Sequence, residues 1–304
     1  MPAFLSVGEC MLELSGAGSP DLWRMGIAGD TLNTAWYARA RLGADWQVDY
    51  LTRLGRDRFS DRILRFLDAG GIGTAWITRD PARMPGLYAI DLQDGERSFT
   101  YWRGQSAARL LADDAAHLTH AFGGAAAIYL SGITLAILAP DRRTAVIEAL
   151  AAARARGVLT AFDPNMRPRL WEDAATMCAC VTQAAGAAAL CLPSLDDEVA
   201  AFGDSGPEAT AQRYLRAGAG GVVVKTGGGP VVLADASGVQ VIDGLPRVTP
   251  VDTTGAGDSF NGGYLAARLS GQDAAQAVRA AHALASRVVL HPGALIPMET
   301  ARLP

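Results

Sequence analysis

The sequence predicts an α/β protein: a doubly wound, mainly parallel sheet flanked by helices, with a small antiparallel β lid. Three observations carry this. Short apolar runs bounded by Gly, Pro or Asp recur along the chain, and Ala- and Arg-rich stretches with helical periodicity separate them. Residues 86–103 break that alternation with a hairpin pattern. Strands separated by helices imply βαβ units, hence parallel pairing with helices on both faces.

The elements follow in order. Residues 3–8 read as a strand. Cys10, Leu12 and Leu14 alternate with Met11 and Glu13, as in a half-exposed strand. Residues 32–42 read as a helix with Arg39 and Arg41 off its apolar face, 47–52 as a strand, and 59–68 as an amphipathic helix. GLYAIDLQ and ERSFTYWR flank Asp94-Gly95, a strong hairpin signal. Residues 126–130, 158–163, 188–192 and 221–225 are short apolar runs of buried-strand type, with helices near 141–156, 173–185 and 207–218 between them. Residues 247–251 read as a strand ahead of a glycine-rich segment, and 273–290 as a helix rich in small residues. No long Pro/Ser-rich linker interrupts the chain. One domain over residues 1–304 is therefore expected, with lid insertions at approximately 9–28 and 75–104.

Composition narrows the function. The 27 Lys and Arg against 31 Asp and Glu leave a net charge of −4, which argues against a nucleic-acid binder. Half of the residues are apolar, too many for a disordered chain. The N-terminus MPAFLSVGECMLELS has no basic segment, so no signal peptide is expected. The uncharged run 121–140 is long enough to test as a membrane span, but its glycines and polar residues suit a strand, a tight loop and a helix start at Pro140. Four irregularly spaced cysteines suit a reducing cytoplasm. Cys178 and Cys180 with His117 and His120 offer zinc-type ligands without finger spacing; buried cysteines and helix-surface histidines explain them as well.

The most informative segment is Asp252-Thr-Thr-Gly-Ala-Gly-Asp258-Ser-Phe-Asn-Gly-Gly. Gly255, Ala256 and Gly257 stand at a helix entrance, where unpaired N–H groups and the helix dipole favour an anion. Asp258 follows in the first turn. A carboxylate there would repel a phosphate it merely helped to bind; it makes sense as a base taking a proton from a hydroxyl that attacks that phosphate. A first-turn Asp that only complements the dipole remains the plain alternative. Neither G-x-x-x-x-G-K-[ST] nor G-x-G-x-x-G after the first strand is present, so a nicotinamide-dependent dehydrogenase has little support.

This segment resembles the C-terminal signature of the ribokinase-like (PfkB) sugar kinases, and Ala28-Gly-Asp-Thr-Leu-Asn-Thr-Ala35 resembles its N-terminal partner. The resemblance runs from Gly8 to about Gly293. GECMLELS, GDTLNTA, PGLYAI, GERSFTYWR, YLSGITLAIL and DPNMRPRLW are similar to the 2-keto-3-deoxygluconate kinase branch. That branch uses ATP to phosphorylate the C6 hydroxyl of 2-dehydro-3-deoxy-D-gluconate.

The resemblance implies roles for particular residues. Asp258 would be the base, with Gly255, Ala256 and Gly257 as the anion hole. Gly29, Asp30 and Asn33 would floor the sugar pocket, although helix capping by Asp30 explains that pair equally. Tyr88, Tyr101 and Arg103 would cover the sugar acid from the lid; simple hairpin packing is the alternative for the tyrosines. Arg167 would lie near the substrate and the transferred phosphate. A planar, permanently charged guanidinium suits a carboxylate. On the nucleotide side stand Asn165, Arg167, Ser194, Lys225, Thr226, Gly227, Gly229, Gly255 and Gly257, while the 226–229 glycines also fit a flexible turn. Ser194 and Asp197 occupy the place of the family's Asn-x-x-Glu, and Ala28 replaces its usual Gly.

The cofactors implied are ATP and Mg²⁺, with no metal ligand supplied directly by the protein. The partners implied are a small sugar acid and ATP, with no nucleic acid and no membrane. A homo-oligomer, dimeric or higher through the lid, is expected because pairing would cover lid edges. Three alternatives stay open: a fructokinase or other neutral-sugar kinase, a 5-dehydro-2-deoxygluconokinase, and a non-catalytic sugar-acid-binding regulator.

Overall fold

In the computed structural model, which describes residues 1–19, 21–93 and 96–303, the central strands are buried on both faces. The element order is β1 (Ala3–Val7), β2 (Met11–Gly16), β3 (Trp23–Ala28), α1 (Asp30–Arg41), β4 (Gln47–Leu54), α2 (Arg58–Ala69), β5 (Ile77–Arg79), β6 (Gly86–Gln93) and β7 (Glu96–Trp102). There follow α3 (Ala115–Gly124), β8 (Ala127–Ser131), α4 (Gly132–Ile137), α5 (Pro140–Ala155), β9 (Leu159–Asp163), α6 (Ala174–Ala187), β10 (Leu190–Cys191), α7 (Leu195–Phe202) and α8 (Pro207–Arg216). The chain closes with β11 (Gly221–Val224), β12 (Val231–Asp235), β13 (Gly238–Ile242), α9 (Ala256–Leu269), α10 (Ala274–Val288) and α11 (Met298–Arg302).

Nine strands form one sheet in the order β13-β12-β11-β10-β9-β8-β1-β4-β5. It is parallel from β5 through β11, and β12 and β13 add as an antiparallel edge. Side chains alternate between the faces, as the period of two requires. Leu5, Val7, Ile128, Leu130 and Phe162 enter the core with Val146 of α5, Val181 of α6 and Tyr214 of α8. Phe4, Tyr50, Tyr129 and Ala161 enter the other, with Leu32 of α1, Leu265 of α9 and Val278 of α10. Both faces are thus covered, which is why these strands are apolar throughout.

The second sheet has the order β3-β2-β6-β7. It consists of two antiparallel pairs, β2–β3 and β6–β7, joined by a parallel β2–β6 pairing. The turn expected at Asp94-Gly95 lies outside the described residues. The run 121–140 divides into the end of α3, β8 and α4, and among the described residues no helix is long and apolar enough to cross a membrane.

One expected element is absent. Residues 247–251 form no strand. Pro246 and Pro250 lack the N–H that a ladder needs, and the N–H groups of Val251 and Asp252 both donate to Val289 O at the end of α10, at 2.7 and 3.1 Å. The segment is tied to a helix end and is therefore free to line a cleft.

A buried ion network fixes α7, the helix that begins beside Ser194. Glu198 is fully buried and receives Arg213 Nη2 at 2.5 Å and the Tyr214 hydroxyl at 2.9 Å; Arg213 also reaches Asp204 at 2.7 Å. Removing the cation would leave Glu198 buried without its counter-charge. Arg213→Ala should therefore lower stability by about 3 kcal/mol in urea denaturation. An unchanged midpoint would show that the network contributes nothing to folding.

Candidate active site

Strand order reverses at β1. From there β4 and β5 lie on one side, and β8, β9, β10 and β11 on the other. Ligands of doubly wound sheets bind outside the strand carboxyl ends at such a switch. Here those ends are polar: Glu9 follows β1, Ser131 ends β8, Asp163 ends β9 and Lys225 follows β11. The N-termini of α1 and α9 point at the same place.

Asp258, in the first turn of α9, accepts a hydrogen bond from Asn33 Nδ2 at 2.8 Å. Asn33 is buried in the first turn of α1, and the Gly29 N–H donates to its Oδ1 at 3.3 Å. Thr34 Oγ1 donates to the Asp258 carbonyl at 3.3 Å. The cap of α1 is Gly29, not Asp30. The Asp30 carboxylate instead accepts from Ser131 Oγ and, at 3.0 Å, from Asn165 Nδ2. Asn165 is the one non-glycine residue of positive φ, at 34°, among the described residues. Such a conformation costs energy and persists only where its surroundings enforce it. Here the Asn165 N–H donates to Asp163 Oδ1 at 3.0 Å while its side chain reaches Asp30.

Below this layer lies a second one. Lys225 Nζ is buried and donates to Asp163 Oδ2 at 2.8 Å and to Asn261 Oδ1 at 3.1 Å, and Asn261 Nδ2 donates to the Tyr129 hydroxyl at 3.0 Å. Nζ lies 3.6 Å from where a Cβ on Gly257 would be, directly under the start of α9. Burial pushes the Asp258 carboxyl up to about 7; the neighbouring Asp30 and Asp163 charges add to the rise, while the Asn33 hydrogen bond and Lys225 oppose it. Burial also raises Asp30, against the pull of its Ser131 and Asn165 hydrogen bonds. A carboxylate poised near neutrality can accept a proton and later release it.

Gly255 caps α9 with φ 76°, a left-handed conformation, and a Cβ there would lie 2.7 Å from the Ala294 carbonyl. Both facts demand glycine. The Ala256 N–H turns back to Thr253 O at 3.2 Å, and Ser259 N donates to Gly255 O at 2.8 Å. Between them the N–H groups of Gly257 and Asp258 have no carbonyl within the helix, which makes this end a place for an anion.

Beside it opens a cleft of about 560 Å³, within the range of small-molecule sites. Ser194, Lys225, Thr226, Gly227, Gly229 and Gly257 all line it. It is also lined by Phe260 of α9, Ala285 of α10 and Val289 just past its end, together with Val248 of the irregular segment 247–251. His282 also faces it but is engaged with Pro246 O at 2.7 Å.

The lid residues lie apart from these layers. Tyr88 is buried, donates to Glu13 Oε2 and stacks on Tyr101 with ring centroids 5.6 Å apart; Tyr101 is half exposed. Arg103 is buried in an ion pair with Glu9, with its guanidinium 5.9 Å from the Tyr101 ring centre. Arg167 is exposed and bonds Asp197 at 3.3 Å, outside the Asp30–Asp258 cluster. Gly29, Asp30, Asn33, Asn165 and Asp258 therefore form one connected group, and the six nucleotide-side residues named above share one cleft. Glu9, Ser131, Tyr129, Asp163 and Asn261 join the site although the resemblance gave none of them a role; each lies inside one of the family-like segments. Their signal is position: Glu9, Ser131 and Asp163 all stand at strand carboxyl ends. Among the described residues no three His, Cys, Asp or Glu side chains cluster to hold a metal ion.

Comparison with known proteins bears on the class. Residues 1–301 match the family described as pfkB family carbohydrate kinase. The chain is 37% identical over 296 residues to a 2-dehydro-3-deoxygluconokinase of Haemophilus influenzae, covering 95% of this chain and 94% of that protein. It is 40% identical over 301 residues to the protein of the same name from Escherichia coli K12, covering 96% of each. Among solved structures, a putative ribokinase II from E. coli in complex with ATP and Mg²⁺ superposes with a TM-score of 0.82 at 25% identity, over 96% of this chain and 94% of that one.

The electrostatics of the carboxyl cluster can be measured directly. In carboxyl ¹³C NMR, Asp258 should titrate near pH 7, and in Asp30→Asn it should titrate lower, because a neighbouring negative charge is gone. A shift in the opposite direction would show that Asp30 does not act on Asp258 as a charge.

Proposed function

The chain belongs to the pfkB family of carbohydrate kinases, and from that premise we propose that it transfers the γ-phosphoryl group of ATP to the C6 hydroxyl of 2-dehydro-3-deoxy-D-gluconate. The observation that carries the reaction type is Asp258: a carboxyl near neutrality, held by Asn33, at a helix end suited to an anion. The relatives' shared name carries the choice of substrate.

The sugar acid lies between Asp30, Asn33 and the lid, and ATP lies in the cleft along α10. Asp258 accepts the C6 hydroxyl proton as that oxygen attacks the γ-phosphorus in line. The O6–P bond forms, the bridging β,γ P–O bond breaks, and ADP leaves. The N–H groups at the start of α9 face charge on the transferring group, and Lys225 adds positive potential from beneath. Asn165, bonded to Asp30, stands beside the transferred phosphate; Arg167, which rests on Asp197, reaches that phosphate only by turning inward. Closure of the lid excludes water and limits wasteful hydrolysis.

The acids at the nucleotide cleft are Asp196, which lines it, and the adjacent Asp197. No three such ligands cluster among the described residues, and two acids there fit a Mg²⁺ ion carried mainly by nucleotide phosphates and water. Such an ion neutralises phosphate charge. The chain acts as one kinase unit whose lid is built from the insertions at approximately 9–28 and 75–104. Trp23, Phe99 and Trp102 are solvent-exposed on the lid, and a homo-oligomer paired there would cover them. Four unpaired cysteines suit a reducing cytoplasm.

Asp258→Asn should keep binding of both substrates and lose about 10²–10⁴-fold in turnover, measured by a coupled ADP assay. Near-normal turnover would remove Asp258 as the base. In a phosphorylation screen with ATP, keto-deoxygluconate should be used far better than fructose or ribose, and preference for a neutral sugar would overturn the substrate.

A further inference from the structure

Glu9 is the residue at the site with the least obvious reason to be there. It is 2% exposed, follows β1 at the switch point, and carries a charge into the interior. Taking two charges out of water costs more than a typical ion pair returns, so stability alone is a poor explanation for the Glu9–Arg103 pair.

Its place in the fold suggests another reason. The chain crosses between the two sheets at four points: residues 8–10, 28–29, 80–86 and 103–106. Glu9 stands in the first and meets the other three. Its carbonyl oxygen is 2.3 Å from where a Cβ on Gly29 would sit, its Oε1 is 2.8 Å from that position on Gly86, and its Oε2 pairs with Arg103 Nη2. Arg103 is thereby pinned at the exit of the lid. Its guanidinium lies beside the half-exposed Tyr101 ring, and its charge is felt by Asp30 on the sugar-pocket floor. The pairing is incomplete: Arg103 Nε and Glu9 Oε1 are buried with no partner among the described residues. Arg103 thus holds a buried donor in reserve on the side chain that Glu9 orients.

We propose that Glu9 is a positioning residue that sets the Arg103 guanidinium to receive the carboxylate of the sugar acid, and so selects acidic over neutral substrates without touching them. The inference rests on the sugar-acid reading above. A long Arg side chain loses rotamer freedom when it binds a carboxylate; fixing it beforehand removes that cost from the binding step. Pinning also aims a planar fork whose recognition of carboxylate depends on direction.

The test uses two conservative variants of the full chain. Glu9→Asp keeps the charge but draws the acceptor back by one methylene, so Arg103 is no longer held. It should raise KM for keto-deoxygluconate about 10-fold, the equivalent of 1.4 kcal/mol. KM for ATP and the use of fructose should stay within about 2-fold, by the same arithmetic. Glu9→Gln keeps an acceptor at the same reach and should restore KM to within about 3-fold of the parent. In an Arg103→Ala background, Glu9→Asp should add nothing, because the two act as one unit. Equal rises in KM for sugar acid and ATP, or additive losses in the double variant, would overturn the proposal by showing a general structural role. An unchanged Glu9→Asp enzyme would overturn it alone. A parent enzyme that ignores the sugar acid would overturn the substrate reading and this inference with it.

Discussion

The hydrogen bond from Asn33 to Asp258 joins two helix N-termini whose sequences lie 225 positions apart. Everything the site does depends on that juxtaposition. α1 brings Asp30 and Asn33; α9 brings Asp258 and the anion-binding N–H groups. The sheet holds both because α1 and α9 pack on the same face, through Leu32, Leu265 and their neighbours. A base is useful only if it lies within reach of the hydroxyl and beside the phosphate, and the Asn33 contact is where those two requirements meet.

The charges in the site are balanced locally. Asp30 and Asp163 both raise the cost of ionising Asp258. Lys225 offsets part of that cost from below, Asn33 does so from the side, and the α9 N-terminus adds positive potential without a formal charge. Asp258 is left poised near neutrality and not locked as a permanent anion. On the lid side the same economy appears in Arg103, whose charge is matched by Glu9 before any substrate arrives. The net charge of −4 therefore says little about the potential a substrate meets.

The features legible in the sequence are the contiguous ones. The glycines and Asp258 fall within four residues, so their chemistry can be read from spacing alone. The βαβ order follows from periodicity, and the lid hairpin from strands flanking Asp-Gly. Features made by convergence are different. Asp163, Asn261 and Tyr129 come from separate elements and meet only because β8, β9 and α9 are neighbours, which no local pattern encodes. Arg103 reads as a free cation for the sugar acid; its partner Glu9 lies 94 positions away, across a crossing between sheets. Residues 247–251 have strand-like valines, yet two prolines and the pull of Val289 O make them a cleft wall.

Asn33 holds Asp258 as a base poised near neutral pH. The most direct test is kcat/KM for the sugar acid as a function of pH, in the parent and in Asn33→Ala. In the parent the rate should rise through an apparent pKa near 7, as Asp258 loses its proton. Without the Asn33 donor the charged carboxylate loses a hydrogen bond, so its pKa rises and the limb should move to higher pH. Superimposable limbs in the two proteins would show that Asn33 does not set the ionisation of the base.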